Sequence, residues 1–301
     1  MQSKNQQVNL PILNKKQVSL YIKREDLIHP SISGNKYRKL KYNLITAAEE
    51  NYDTLLTFGG AFSNHIAATA YAGKKNGFKT IGVIRGEELI EKWKDNPTLL
   101  LAHEHGMQFK FVTRSNYRDK EKPFFIEKLK QEFGAFYMLQ EGGTNHTAIR
   151  GCQEILTSDD SAFNIVCSSV GTGGTIAGII NSSFANQHVL GFPALKGDFL
   201  KEDIRKFVSK ENWKLQTNYH FGGYAKCTSD LIHFMNDFTA STQIPLDPIY
   251  TGKMIYGILD MVKNDFFKPH TNILAIHTGG LQGIKGMNII LKKKNLPLIT
   301  I

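Results

Sequence analysis

Two rhythms of apolar residues alternate along this chain. Short, nearly continuous runs such as Thr54–Phe58, Lys79–Ile84, Met107–Thr113, Ala135–Leu139 and Asn164–Val170 have the length and composition of buried strands. Residues 18–24 alternate as a half-buried strand, and Val189–Phe192, Trp213–Phe221 and Asn272–Thr278 are later strand candidates. Between them run stretches of helical period. Ser63–Lys75 reads as an Ala-rich helix closed by Gly77, and Asn96-Pro97 opens a helix through His105 that Gly106 ends. Lys122–Phe133 is a helix expected to turn Phe124, Phe125, Ile126 and Leu129 to the core. Further helices are expected near 199–209, 228–240 and 252–265. Strands alternating with helices at this spacing predict parallel βαβ units with right-handed crossovers. Two α/β layers packed together are the economical architecture, and open α/β sheets bind ligands beyond the C-terminal ends of their strands.

One helix start is electrostatically awkward. In Ser33-Gly34-Asn35-Lys36-Tyr37-Arg38-Lys39-Leu40, Ser33 is a fair N-cap, and Tyr37, Leu40, Leu44 and Ala48 follow at helical spacing. First turns favour acidic residues because their free N–H groups carry partial positive charge, yet this one holds Lys36, Arg38 and Lys39. Other cations and a helix N-terminus disfavour the ammonium form of a lysine and move it toward the neutral amine that forms Schiff bases. Most lysines are solvated surface charges, so this octapeptide alone does not make Lys36 catalytic.

Composition narrows the classes. The 301 residues suffice for two domains or one large one, and 41% hydrophobic with 21% charged residues is ordinary for a soluble globular protein. The formal net charge of +10 raises nucleic acid, anionic membranes and anionic small molecules as partners, but the cations are spread along the chain and no basic-aromatic module stands out. Cys152, Cys167 and Cys227 lie far apart in no metal-ligand or disulfide pattern. The first residues lack a signal-peptide core, and no run approaches a membrane span, so a cytoplasmic location is expected.

Glycine-rich turns carry the candidate chemistry. Val170-Gly171-Thr172-Gly173-Gly174-Thr175 links a strand to a helix, and its N–H groups and threonine hydroxyls form an anion cradle. It lacks the third glycine of the dinucleotide fingerprint and the Gly-Lys-Ser/Thr of a P-loop, which leaves small phosphorylated cofactors. A tight turn without a ligand is the plain alternative. Gly59-Gly60-Ala61-Phe62-Ser63-Asn64-His65 puts three polar side chains at another helix start, where Ser63 or Asn64 can serve as N-cap. A serine hydrolase reading of Ser63 lacks the G-x-S-x-G elbow. His103-Glu104-His105 does not match HExxH and reads as a polar helix end. Tyr250-Thr251-Gly252-Lys253 opens a late helix.

Taken together, the Ser33–Leu40 block, Phe62-Ser63-Asn64-His65, Glu141-Gly142-Gly143-Thr144-Asn145, Gly171–Thr175, Tyr250-Thr251-Gly252-Lys253 and His277-Thr278-Gly279-Gly280 resemble, in order and over nearly the whole chain, the pyridoxal 5'-phosphate enzymes of fold type II. More narrowly they resemble the 1-aminocyclopropane-1-carboxylate (ACC) deaminases and D-cysteine desulfhydrases. That resemblance implies two open, twisted, mostly parallel α/β sheets of the tryptophan synthase β type. A larger domain (1–40 and 150–301) and a smaller inserted one (41–149) would hold the cofactor between them. It implies Lys36 as the Schiff-base lysine and proton shuttle, and Asn64 as partner of the cofactor's phenolic oxygen. Gly171, Thr172, Gly173, Gly174 and Thr175 match its phosphate loop, and Thr278 a polar group near the pyridine. Ser63 and His65 match positions at the substrate carboxylate and reacting carbons; Tyr250 and Tyr224 match tyrosines near cofactor and substrate. In the family's pattern, ACC deaminases carry Ser-Asn-Gln and Tyr-Glu-Gly-Lys where this chain has Ser63-Asn64-His65 and Tyr250-Thr251-Gly252-Lys253. Both departures lean toward α,β-elimination from D-cysteine or a related small amino acid. ACC deamination to 2-oxobutanoate, or cofactor binding without turnover, are the alternatives. The expected partners are a small amino-acid substrate and a second copy of the chain in a homodimer, with no metal, nucleic acid or membrane.

Overall fold

The computed structural model describes residues 2–32, 34–197 and 199–301. Among them, ten strands form two open sheets. The larger sheet combines β1 (Asn5–Val8), β2 (Ser19–Lys23), β7 (Ile165–Val170), β8 (His188–Pro193), β9 (Trp213–Leu215) and β10 (Asn272–Ile276) in the order β1-β2-β10-β7-β8-β9. The smaller sheet, from β3 (Thr54–Gly59), β4 (Lys79–Arg85), β5 (Met107–Val112) and β6 (Tyr137–Leu139), has the order β5-β4-β3-β6. Every pairing is parallel except β1 with β2. This is the α/β class with two mostly parallel sheets that the alternating pattern predicts.

Each central strand is apolar on both faces because helices cover both sides: β3 is buried along its whole length, and β10 and β7 nearly so. The departures from the predicted elements have local causes. β1 reads Asn-Gln-Gln-Val and shows no apolar alternation; it is an edge strand held by its antiparallel register, Asn5 opposite Lys23. The candidate strand Trp213–Phe221 stops at Leu215 and continues as a 3-10 turn over Thr217–Tyr219. In the helix Pro123–Phe133, Phe125 and Leu129 are buried, but Phe124 lies one position off the inner face and is 53% exposed. No helix of the described residues is long and apolar enough to cross a membrane.

The lysine helix spans Asn35–Glu49. Ser33 lies outside the described residues; Gly34 occupies the N-cap position, at φ 62. The inner side of this helix runs through Leu40, Asn43 and Ala47, so Ala48 faces outward. Arg38 and Lys39 are both buried. Arg38 turns to Glu25, with Nη2 at 2.9 Å from Oε1, and that buried pair pins the helix to the turn after β2.

Candidate active site

Strands of both sheets end at one cleft of about 500 Å3, measured out to its open mouth. Lys36 lines it, with Asn64, the Gly171–Gly173 turn, Thr175, Tyr250 and Thr278. Sequence segments separated by most of the chain therefore converge where open parallel sheets put their ligands.

The lysine is placed by backbone contact. Gly34 packs so tightly on the turn after β10 that a Cβ there would lie 2.0 Å from the Thr278 carbonyl oxygen. The Asn35 N–H donates to that same oxygen at 3.2 Å. The turn is itself held: His277 donates from Nε2 to the Pro245 carbonyl at 2.7 Å and accepts from the Gly279 N–H at Nδ1. Crowding lowers the Lys36 ammonium to about 7, burial being the main cause and the neighbouring Lys39 adding to it, against weaker pulls from Cys152 and Asp247. The awkward charge in the sequence thus has a structural basis, with Lys39 rather than Arg38 as the opposing cation.

Across the cleft, the helix Gly174–Ser182 opens with Gly173 in the left-handed region (φ 85) and no side chain caps it. Its first N–H groups have no partners within the helix, and they face the turn Gly171–Gly173. A Cβ on Gly171 would sit 3.1 Å from the Tyr250 ring, so glycine there keeps the space under the tyrosine open. Gly174 stays just behind this lining, where a Cβ would meet Thr144 and Lys39.

At the third corner, Ser63 caps the helix Asn64–Lys75 by accepting from the Ile66 N–H at 3.3 Å. Asn64 enters the cleft; His65 is 2% exposed and packs against Gly143. Neither ring nitrogen of His65 has a partner among the described residues. Burial first, then Lys36 and Lys39, hold its pKa well below the ordinary histidine value, so the ring is neutral. Ser63 and His65 consequently form no hydrogen-bonded nucleophile and base. Of the tyrosines, Tyr250 lines the cleft, while Tyr224 is 40% exposed beside it, the ring centroids 6.2 Å apart. Burial, then Tyr224 and Asp247, push the Tyr250 phenol well above its ordinary value. Away from this cleft, His103 packs on Trp93 and His105 on Tyr71.

Several contributors have no site role in the motif reading, although Lys39 and Asn35 lie inside its lysine block. Lys39 lines the cleft, donates to the Gly142 carbonyl at 2.8 Å, and is pushed down to about 8 by burial. Its i, i+3 spacing from Lys36 places both on one face, which is the signal that could have found it. The Asn35 amide donates to Thr175 Oγ1 at 2.7 Å and accepts from Lys36 at 3.3 Å, tying lysine to glycine turn. Asp247 accepts from the N–H groups of Ile249, Tyr250 and Thr251 and so fixes the tyrosine turn. Thr251 itself is fully buried and spends its hydroxyl on Asp247, at 2.8 Å, rather than on the cleft.

Comparison with known proteins agrees with this geometry. A family described as "Pyridoxal-phosphate dependent enzyme" matches residues 4–279. A putative 1-aminocyclopropane-1-carboxylate deaminase of Pyrococcus abyssi is 33% identical over 89% of this chain and 86% of that protein. The bifunctional D-cysteine desulfhydrase/1-aminocyclopropane-1-carboxylate deaminase, mitochondrial, of Arabidopsis thaliana is 31% identical over 88% of this chain and 73% of its own length. Among solved structures, an ACC deaminase homologue superposes with a TM-score of 0.81 at 27% identity, covering 97% of this chain and 94% of that one. The processed threonine deaminase isoform 2 of Solanum lycopersicum shares the fold at a TM-score of 0.64 and 16% identity, over 96% of this chain and 84% of that one.

Proposed function

Because the chain belongs to the pyridoxal-phosphate-dependent enzymes, and within them to the ACC deaminase and D-cysteine desulfhydrase family, we propose that it is a deaminating lyase. Its reaction is α,β-elimination from D-cysteine or a related small β-substituted amino acid, giving pyruvate, ammonia and the departing β-substituent, which from D-cysteine is sulfide. The observation that carries this is the pairing, in one cleft, of a lysine lowered to about 7 with an uncapped helix start.

Three features support a pyridoxal phosphate in that cleft. The helix start and the turn Gly171–Gly173 form a cradle that a Cβ at Gly171 would begin to fill. Lys36 has an amine near neutrality within the same cleft. Beside it, the buried ring nitrogens of His65 lack partners among the described residues. Gly171, Thr172, Gly173, Gly174 and Thr175 would hold the phosphate, Asn64 the phenolic oxygen, Thr278 the pyridine end, and Lys36 the carbonyl carbon. When bound, the cofactor supplies an electron sink for the carbanion formed at Cα.

The chain's own groups do the rest. Lys36, neutral near pH 7, takes the Cα proton on Nζ. Ser63, accepting from Ile66, retains its hydroxyl proton to donate to the substrate carboxylate, with the neutral His65 beside it. Tyr250 keeps its phenolic proton and donates it toward the departing sulfur. Among the described residues the polar side chains lining the cleft are amides, hydroxyls and amines, with Val170 and Ile176 as apolar members and no carboxylate. With the hydroxyl of Thr278 rather than a carboxylate at the pyridine end, no lining anion favours a protonated pyridine, and elimination of a good leaving group is favoured over opening of a cyclopropane.

On this reading the chain divides into the two units 1–40 with 150–301 and 41–149, and it works as a homodimer on a small amino acid. The purified protein is expected to be yellow, with a visible band absent from Lys36→Ala, and to release pyruvate and sulfide from D-cysteine. D-serine, L-cysteine and ACC are the comparison substrates; release of 2-oxobutanoate from ACC alone refutes the elimination reading. A visible band without any keto acid favours a binding protein.

A further inference from the structure

Lys253 has no part in the chemistry above, yet it is among the most buried side chains of the molecule, at 2% exposure. Lysines are almost never buried without a carboxylate partner, and among the described residues this one has none within ion-pair distance. Its Nζ instead donates to two backbone carbonyls, Gly223 at 2.8 Å and His220 at 2.9 Å. Both belong to the loop that carries Tyr224.

That loop is strained. Phe221 (φ 51), Gly222 (φ 86), Gly223 (φ 112) and Ala225 (φ 55) all lie at positive φ, and two of them are not glycine. Such backbone persists only where its surroundings over-determine it. The determinants visible here are local turns and the helix Thr251–Lys263. His220 accepts from the Gly222 N–H at its ring Nδ1, 2.9 Å away, and Lys226 N–H closes on the Gly223 carbonyl at 3.2 Å. From the helix come the Lys253 ammonium and the Tyr256 ring, which meets Phe221 edge-on at 4.9 Å. The same helix starts at Tyr250, the cleft tyrosine against which Tyr224 stands. One helix therefore positions both tyrosines, the first directly and the second through a cation gripping its loop.

We propose that Lys253 is a positioning residue for the lyase site: its ammonium holds the loop His220–Ala225 in the left-handed path that sets Tyr224 beside Tyr250 at the mouth of the cleft, where the substrate's side chain enters. Each carbonyl also accepts one backbone N–H, His220 from Gly223 at 3.0 Å and Gly223 from Lys226 at 3.2 Å, but only a group with several N–H bonds on a flexible stem ties the two oxygens to the helix at once. An apolar residue there leaves each oxygen with its backbone N–H alone, the loop loses its tie to the helix, and it relaxes toward ordinary φ.

The proposal rests on the functional reading above for what Tyr224 does, but not for the clamp itself, so the test separates the two. Hydrogen exchange of the cofactor-free protein is measured over residues 218–227 in the wild type and in Lys253→Met. Protection in this peptide is expected to fall about tenfold or more in the variant, with the sheet strands unchanged. With D-cysteine, kcat/KM is expected to drop about tenfold in Lys253→Met and in Tyr224→Ala, and hardly further in the double variant, because both remove the same placement. If Lys253→Met does not fold, Lys253→Arg, which keeps the donors, is compared with Lys253→Gln, whose shorter stem cannot span both carbonyls; protection is expected only in the first. Unchanged exchange in a folded Lys253→Met, equal protection in the Arg and Gln variants, or fully additive losses would each overturn the clamp. Loop release without any elimination activity in the wild type would instead refute the lyase reading and leave the clamp standing.

Discussion

Gln282 fixes Asn64 across 218 positions of sequence: its Nε2 donates to the Asn64 Oδ1 at 2.9 Å, which orients the amide so that Nδ2 is the group left to donate. A cofactor oxygen met by Asn64 therefore meets a donor, by virtue of a residue outside every recognised motif. Gln282→Leu frees the amide to rotate and is expected to weaken cofactor retention by about 1 kcal/mol, roughly fivefold in Kd, the size of one hydrogen bond. Equilibrium dialysis against pyridoxal phosphate reads this directly; an unchanged Kd removes Gln282 from the site.

At Gly34 the expected effect is on the fold as well as the site. A Cβ 2.0 Å from the Thr278 carbonyl, at φ 62, cannot be accommodated without moving the lysine helix off the turn after β10. Gly34→Ala should lose about 3 kcal/mol or more of stability in a urea titration, and the yellow band with it.

The reactivity of Lys36 should follow its lowered pKa. The neutral amine is the nucleophile and predominates above the pKa, so cofactor loading should rise with pH through about 7 and then level off, not climb toward pH 10. Lys39→Met removes the nearest opposing cation and should move the midpoint upward. Stopped-flow growth of the visible band, in apo-protein across pH 6 to 9, shows either the plateau or its absence.

Thr251 is expected to behave as a scaffold residue. It donates to the Asp247 carboxylate and accepts the Asp247 N–H, both at 2.8 Å. Thr251→Val should cost about 2 kcal/mol by leaving buried partners unmet. Thr251→Glu places a second carboxylate beside Asp247 and should destabilise the helix start rather than introduce ACC turnover. A stable, ACC-active glutamate variant would restore Thr251 as a direct determinant of substrate.

Sequence patterning reached the parallel sheets because strands buried on both faces leave long apolar runs, as in Leu55, Leu56 and Phe58 of β3. It missed β1 because an edge strand made of Gln and Asn is defined by its partner. Phe124 was misplaced because adjacent phenylalanines blur the helical period. Lys36, Asn64, the glycine turn, Tyr250 and Thr278 were all legible as motifs, and the structure brings them to one cleft. The fixing residues Asp247 and Gln282 were not, and Lys253, though inside the Tyr250–Lys253 block, carried no visible role, since the significance of all three lies in which backbone carbonyl or amide stands opposite, and that is set by tertiary contacts.

The cleft draws its walls from both sheets, Asn64 following β3 and Thr278 following β10. Any ligand filling it ties the two halves thermodynamically: at a hundredfold excess over Kd it adds about 2.7 kcal/mol to the assembled form. Thermal unfolding of the loaded protein should then be more nearly a single transition than that of the apo-protein, in which each sheet depends on its own core. Cofactor supply would in that way govern how long the chain survives in a cell, as well as whether it turns over substrate.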